Sequence, residues 1–513
     1  MTERYHAGAF VEAAQIGWEL LKVDPREPVW LKLLALAEHR QGHQAAAIVL
    51  LKRAIKAEPD GVAQWNDLGN VYSSVGEIGL AEEAYRVALV HAPHCAEAYN
   101  NLGVMAGERE DYAEARRLYE KALALRPDYA EAMYNLGIAL AALGRFQKAA
   151  HRYEQTLALT PDHARARFNL SLTRLLMGDL AGGWKDWESR WQTPQLAPAL
   201  RKFPQPAWRG ESLAGRTILL YAEQGLGDTL QFVRFVSLVA ERDATIVLEV
   251  QASLVPLFQP LFDVWTKRHR STGDDVQPGR IVAQGEDLPP FDLHCSLMSL
   301  PAVFQTTLRT IPSAAGYVRS ARTLVRGSSQ GLRVGLVWAG SPTHKRDHAR
   351  SLPLAVLRPL LDLPDIQWIS LQKGPSAGQL AELASVDPVF STVENVAAGF
   401  EDYADTAAAV ESLDLIITVD TSVAHLAGAM GKPVWVLLQQ HLPDWRWLLN
   451  RKDSPWYASA RLFRQEKAGD WEGVVTTLRS RLMQLLQCRP KSKALVLSAS
   501  YSSGIAAVLH PDG

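Results

Sequence analysis

Prolines stand at positions 25, 59, 93, 127 and 161, each 34 residues after the last. A fixed period of this length marks a helix–turn–helix unit that cannot bury its apolar face alone and must stack on its neighbours. Other positions keep the same step. Trp65, Leu68, Gly69, Tyr72, Ala81, Tyr85 and Ala88 precede Pro93. Tyr99, Leu102, Gly103, Ala115, Tyr119 and Ala122 precede Pro127, and Met133, Leu136, Gly137, Leu140, Ala149 and Tyr153 precede Pro161. Small residues let the two helices of a unit approach, aromatics fill the gap, and the proline ends the second helix. The unit ending at Pro59 keeps fewer of these positions, and the one before Pro25 lacks most of a first helix. Beyond Pro161 the phase runs on through Phe168, Leu170, Gly183 and Trp187, so residues 184–191 are expected to form a capping helix.

The pattern resembles the tetratricopeptide repeat. That resemblance implies an α-solenoid over residues 1–192, with a concave surface that takes a protein or peptide. Asn66, Asn70, Asn100, Asn101 and Asn135 fall on the first helix of their units, the helix that lines the groove in this family. An asparagine can bond a peptide backbone without reading its side chains. A set of solvated polar positions is the plainer alternative.

The chain has 513 residues, enough for two or three domains, with a formal net charge of −1. That balance does not favour nucleic acid. Cys95, Cys295 and Cys488 are far apart, which suits neither zinc nor a disulfide framework. No apolar run reaches the ~18 residues of a membrane span, and the N-terminus lacks an apolar signal core. A cytoplasmic protein is the expectation.

Residues 193–216 carry Pro194, Pro198, Pro204 and Pro206 and read as a linker. Strand and helix patterns then alternate, as in doubly wound α/β lobes. A first lobe spans 217–326, a second 327–488, and 489–513 is a tail. In the first lobe a strand at 217–222 leads to Gly225-Leu226-Gly227-Asp228 and a helix at 229–240. Residues 262–290 are expected to be loop. The glycine loop lacks the third glycine of a dinucleotide fingerprint, where Leu230 stands, and the Gly-Lys of a P-loop. An acidic residue at such a loop suits a general base better than a phosphate contact, with a helix cap as the alternative for Asp228. In the second lobe the strand at 332–339 runs into a loop holding Ser341, Lys345 and Arg350, a candidate phosphate clamp. Another strand ends at Lys373. A third, Leu415–Val419, meets Asp420, Thr421 and Ser422 at the start of a helix that ends near Gly431. A helix N-terminus beyond a parallel strand is an anion site. The sequence offers no paired-carboxylate metal site.

Residues 225–228, G-L-G-D, resemble the first-lobe motif of glycosyltransferase family 9, the ADP-heptose:lipopolysaccharide heptosyltransferases. Residues 420–425, D-T-S-V-A-H, resemble that family's D-T-G-x-x-H motif, with Ser422 in place of its glycine. The resemblance covers roughly residues 217–487. It implies a two-lobed GT-B domain of double Rossmann type that uses a nucleotide-diphosphate sugar and no further cofactor. Asp228 is then the base for the acceptor hydroxyl. Gly225, Gly227, Ser341, Lys345, Arg350, Lys373, Asp420, Thr421, Ser422 and His425 form the donor side, with His425 as a packed core histidine the alternative. Repeats joined to a GT-B enzyme are similar to the layout of protein O-GlcNAc transferases, and the pairing with a family-9-like half looks bacterial. The fold class expected is α + α/β. A repeat scaffold carrying an inactive or ligand-sensing transferase-like half is the competing expectation.

Overall fold

The structure is a computed structural model that describes residues 1–267, 279–312, 316–324, 331–344 and 346–488. Lys345 and the 489–513 tail lie outside the described residues. The chain forms two compact units, one through Leu170 and one from Ser171 onward. Among the described residues no helix is long and apolar enough to cross a membrane.

The first unit is built from helix pairs. These are Pro28–Arg40 with Gln44–Ala57, Val62–Ser74 with Ile78–His91, Ala96–Glu108 with Tyr112–Leu125, and Ala130–Ala142 with Phe146–Leu159. A further pair in phase, Ala164–Leu176 and Leu180–Trp187, runs past the division at Leu170. Each helix begins 34 residues after its counterpart. The unit ending at Pro59 is therefore complete, despite its sparse signature, because Leu31, Leu34, Ala47 and Ala54 are still buried. Before it stand the short Thr2–His6 helix and Phe10–Val23.

Two backbone constraints repeat with the sequence. Gly69, Gly103 and Gly137 lie against Tyr85, Tyr119 and Tyr153, and a Cβ on Gly103 would sit 2.6 Å from the Tyr119 ring. The turn inside each pair passes through the left-handed region at Gly42, Gly76, Glu110, Gly144 and Gly178, again 34 residues apart. Only Glu110 carries a side chain there.

Among its described residues the second unit holds two sheets, both wholly parallel. The first has β1 (Thr217–Tyr221), β2 (Thr245–Val250), β3 (Arg280–Ala283) and β4 (Leu293–Ser296), in the order β3-β2-β1-β4. The second has β5 (Leu332–Val337), β6 (Ile366–Ser370), β7 (Glu394–Asn395), β8 (Leu415–Val419), β9 (Val434–Leu438) and β10 (Ala460–Arg464), in the order β7-β6-β5-β8-β9-β10. Strands β1, β2, β5, β8 and β9 are almost wholly buried, as near-continuous apolar runs demand. β10 and the Val255–Lys267 helix, which falls partly in the stretch expected to be loop, were not legible as elements.

The 193–216 stretch is not a free crossing. Ala207 bridges to His294 on β4, with Trp208 N donating to the His294 carbonyl at 2.8 Å. This covers an edge strand that would otherwise be open. The Leu180–Trp187 helix is anchored in the same unit, since Trp184 Nε1 donates to Thr306 O at 2.9 Å and Trp187 Nε1 to Met298 O at 2.8 Å.

Gly103→Ala is expected to cost about 1–3 kcal/mol by overpacking against Tyr119. Thermal unfolding of Gly103→Ala beside the double variant Gly103→Ala/Tyr119→Leu checks this, because the smaller side chain should restore part of the loss.

Candidate functional site

In each sheet the strand order reverses beside the first strand, between β1 and β4 and between β5 and β8. Crevices for ligands form outside the carboxyl ends of parallel strands at such points. The segments that leave these ends carry Glu223 and Asp228 after β1, Ser341 and the short Asp347–Arg350 helix after β5, and Asp420, Thr421 and Ser422 after β8.

The sheets meet through two helices that begin at these ends, Leu226–Phe232 and Ser422–Ala429. Gly227 makes their approach possible. A Cβ there would come within 2.7 Å of His425 Cδ2 and 3.5 Å of the Ser422 backbone. The glycine loop thus differs from the expected sharp turn. Gly225 has φ −72°, an ordinary value, and is the residue before the helix, while Leu226, Gly227 and Asp228 form its first turn. Gly227 serves helix packing, and Gly225 donates its N–H to Asp228 Oδ2 at 2.9 Å. The capping reading of Asp228 therefore accounts for one oxygen only.

The other oxygen accepts a hydrogen bond from Arg446 Nη2. Arg446 is buried, bonded through Nη1 to both oxygens of Asp444 at 3.0 and 2.9 Å and through Nε to Gln231 Oε1. Its guanidinium lies 4.6 Å from the Trp445 ring centroid and 5.4 Å from that of Phe232. Burial pushes the Asp228 carboxyl up from its ordinary value, and the Arg446 charge restrains that rise. Burial also opposes ionisation of Asp444, but Arg446 outweighs it and holds that carboxyl below its usual range. Burial and the neighbouring Asp444 charge raise Asp420 to about 7. Burial lowers His425 to about 3, so its ring is neutral. His425 accepts or donates at Nδ1 to the Tyr457 hydroxyl at 2.8 Å, stacks on Trp447, and has Nε2 3.9 Å from Asp420 Oδ1.

On the other side, Arg350 Nη1 donates to the Asp420 carbonyl at 3.2 Å and Nε to Asp347 at 3.0 Å. Gly340 leaves room for this guanidinium. No side chain caps the Ser422–Ala429 helix; the Ala424 N–H bonds the Thr421 carbonyl at 3.0 Å, and no cap bond takes the Ser422 and Val423 N–H groups ahead of it. The Thr421 hydroxyl bonds Thr418 at 3.0 Å, and Ser422 Oγ bonds the Tyr403 hydroxyl at 2.5 Å. Ser341 is exposed and bonds Thr343, while Lys373 is exposed and donates to the Phe400 carbonyl. Neither touches the Asp228–Arg446 group. Among the described residues no group of three or more His, Cys, Asp or Glu is placed to hold a metal ion.

In the first unit the asparagines bond one another. Asn101 Nδ2 donates to Asn66 and Asn70 at 3.0 Å, Asn135 to Asn100 at 3.0 Å, and Asn169 to the Tyr134 hydroxyl at 3.3 Å. The Asn101–Asn66, Asn135–Asn100 and Asn169–Tyr134 links each span 35 residues. Asp67 takes the same place one unit earlier, where burial raises its carboxyl to about 6 against the charge of Lys32. Asn100 is buried, whereas Asn66, Asn70, Asn101 and Asn135 keep exposed surface.

Sequence reasoning missed three groups. Arg446 stands between two tryptophans, a setting that by itself points to no partner. Asn169 and Asp67 were signalled by the 34-residue step from Asn101 and Asn135. Arg190, wholly buried, holds Glu223 through Nε and Nη2 at 2.9 and 3.0 Å beside the β1 end, and nothing in the sequence pairs those two residues.

Tetratricopeptide repeat models match residues 94–162 and 134–199. The chain is thus a tetratricopeptide helical solenoid followed by a region of parallel sheets. It is 27% identical over 324 residues to Protein FlbA of Caulobacter vibrioides, covering 60% of this chain and 53% of that protein. The chain spans about half the length of that curated relative. Among solved structures, MamA is 26% identical with a TM-score of 0.29, covering 33% of this chain and 98% of MamA. PilW, described as a widely conserved type IV pilus biogenesis factor, is 28% identical with a TM-score of 0.31, covering 34% of this chain and 81% of PilW.

The Asp420 environment gives a pH test. Its carboxyl titrates near 3.8 when unperturbed and about 7 when folded, so its contribution to stability is full below the lower value and is lost as pH rises through the upper one. His425 works oppositely, its contribution being present above 6.5 and lost toward 3. Asp420→Asn is expected to raise the melting temperature above pH ~7 and to leave it unchanged below pH ~4. Melting curves across that range check the sign.

Proposed function

We propose that this chain is a glycosyltransferase of the two-lobed GT-B kind, guided to its acceptor by the tetratricopeptide repeats. The observation that carries the reading is the crossing at Gly227 and His425. It brings the acidic helix start after β1 against the helix start after β8, and this proximity supports reading the first as the base and the second as the anion site.

In this reading the 217–326 lobe takes the acceptor and the 327–488 lobe the nucleotide-diphosphate sugar. Asp228 removes the proton of the acceptor hydroxyl. The acceptor oxygen bonds the anomeric carbon while the bond from that carbon to the diphosphate oxygen breaks, and the electron pair leaves with the nucleoside diphosphate. The negative charge that develops is met by the Ser422–Ala429 helix start, the Thr421 hydroxyl and Arg350. The route uses protein groups alone and no metal. Gly225 and Gly227 act by shaping the Asp228 turn and the helix crossing. His425, neutral and stacked on Trp447, orients the same helix. The repeat groove presents a protein or peptide, with Asn66, Asn70, Asn101 and Asn135 on its surface and Asn100 behind them.

A second reading is a protein-binding scaffold with a ligand-sensing half, which the repeat matches over 94–199 support by themselves. The two separate on donor chemistry. Calorimetry with ADP-, UDP-, GDP- and dTDP-sugars is expected to show one binding donor, and Asp228→Asn is expected to bind it while losing at least about 100-fold in transfer. No heat with any donor favours the scaffold. Near-normal turnover of Asp228→Asn sinks the base assignment.

A further inference from the structure

We propose that Arg446 and Asp444 form a positioning pair for Asp228, dividing one guanidinium charge between two carboxylates so that Asp228 is both aimed and left basic. The inference rests on Asp228 acting as the acceptor base.

The geometry has three parts. First, both Asp228 oxygens are held, Oδ2 by the Gly225 N–H at 2.9 Å and Oδ1 by Arg446 Nη2. Each oxygen keeps a further lone pair for a hydroxyl proton. Second, Arg446 cannot swing. Gln231 Oε1, one turn beyond Asp228 on the same helix, takes Nε, Asp444 takes Nη1 twice, and Trp445 and Phe232 cover the ring-like face. Asp444 is itself fixed, because its Oδ1 accepts the Arg446 backbone N–H at 2.9 Å. Third, the charges are unequal in number. Two carboxylates share one cation, and the paired contact belongs to Asp444.

The remaining charged groups are arranged around this centre. Glu223 precedes the Asp228 helix, and its charge acts on Asp228 in the same sense as that of Asp444. Asp420 feels Asp444, Arg350 and Arg446. His425 is neutral, and Arg234, further along the run that begins with the Asp228 helix, is turned to Tyr317, Trp456 and Tyr457. The direct partner of Asp228 is therefore Arg446, and the direct competitor is Asp444.

Removing either member has opposite consequences. Without Arg446, Asp228 is a buried carboxylate beside another and keeps its proton to higher pH. Without the Asp444 charge, Arg446 is wholly available to Asp228, which ionises more easily and accepts a proton less readily. A merely structural role predicts weaker proteins with no such opposition.

The test uses the full chain with ADP-, UDP-, GDP- and dTDP-sugars, water standing in for the acceptor hydroxyl at the anomeric carbon, and follows release of nucleoside diphosphate against pH. Arg446→Gln is expected to move the acidic limb of kcat up by about one pH unit and lower kcat about tenfold or more, with donor KM within about threefold. Asp444→Asn is expected to move that limb down. Arg446→Lys should recover part of the Arg446→Gln shift. Should Arg446→Gln fail to fold, Asp444→Asn, which retains the Arg446–Asp228 pair, carries the test. Limbs that stay in place, or move together, overturn the pair. Wild-type protein that releases no diphosphate from any donor overturns the transferase reading itself, and the base with it.

Discussion

The contact between Gly227 and His425 is the constraint on which the second unit depends. Each partner stands near the start of a helix that leaves the carboxyl end of a different parallel sheet. A side chain at Gly227 would push the helices apart, and with them every polar group that the two strand ends carry. One hydrogen atom in place of a methyl group therefore fixes the distance between two sheets.

That closeness explains the electrostatics. Asp228, Asp420 and the Asp444–Arg446 pair come from three separate segments and are all buried or part-buried at one place. Burial of charge is costly unless it is paired, and here the pairing is uneven. Arg446 is matched fully to Asp444, partly to Asp228 and only at a distance to Asp420. The aromatic residues around it, Phe232, Trp445 and Trp456, keep water away and hold the guanidinium flat. Trp184 and Trp187 extend that packing to the Leu180–Trp187 helix. Other tryptophans of this unit, Trp338, Trp368, Trp435 and Trp471, lie instead in the apolar core of the second sheet.

Much of this was legible in the sequence because it is periodic or local. The 34-residue step gave the helix pairs, including their phase where the signature residues thin out. Leu415–Val419 read correctly as a strand because short apolar β-branched runs bounded by turn residues have few other uses. What stayed hidden is what depends on distance. Arg446 and Asp228 are 218 residues apart, so no spacing rule joins them. The role of Gly227 was misread for the same reason, since a glycine needed for a turn and one needed for a neighbour look alike in sequence. The 193–216 stretch looked like a linker because its prolines suppress periodicity, although Ala207 and Trp208 still find the exposed edge of β4.

The row of side-chain bonds along the repeats has an offset of its own. Each bond joins a residue to one 35 positions earlier, whereas the helices recur every 34. The bond therefore joins one position of a first helix to the neighbouring position of the next first helix, and the same two positions recur, 34 residues apart, in all three links. Loss or duplication of one whole unit brings an equivalent pair together, so the row closes again across the new junction. A change of any other length breaks it. The groove can lengthen or shorten only in whole units, which makes its reach a discrete quantity set by the number of units in the chain.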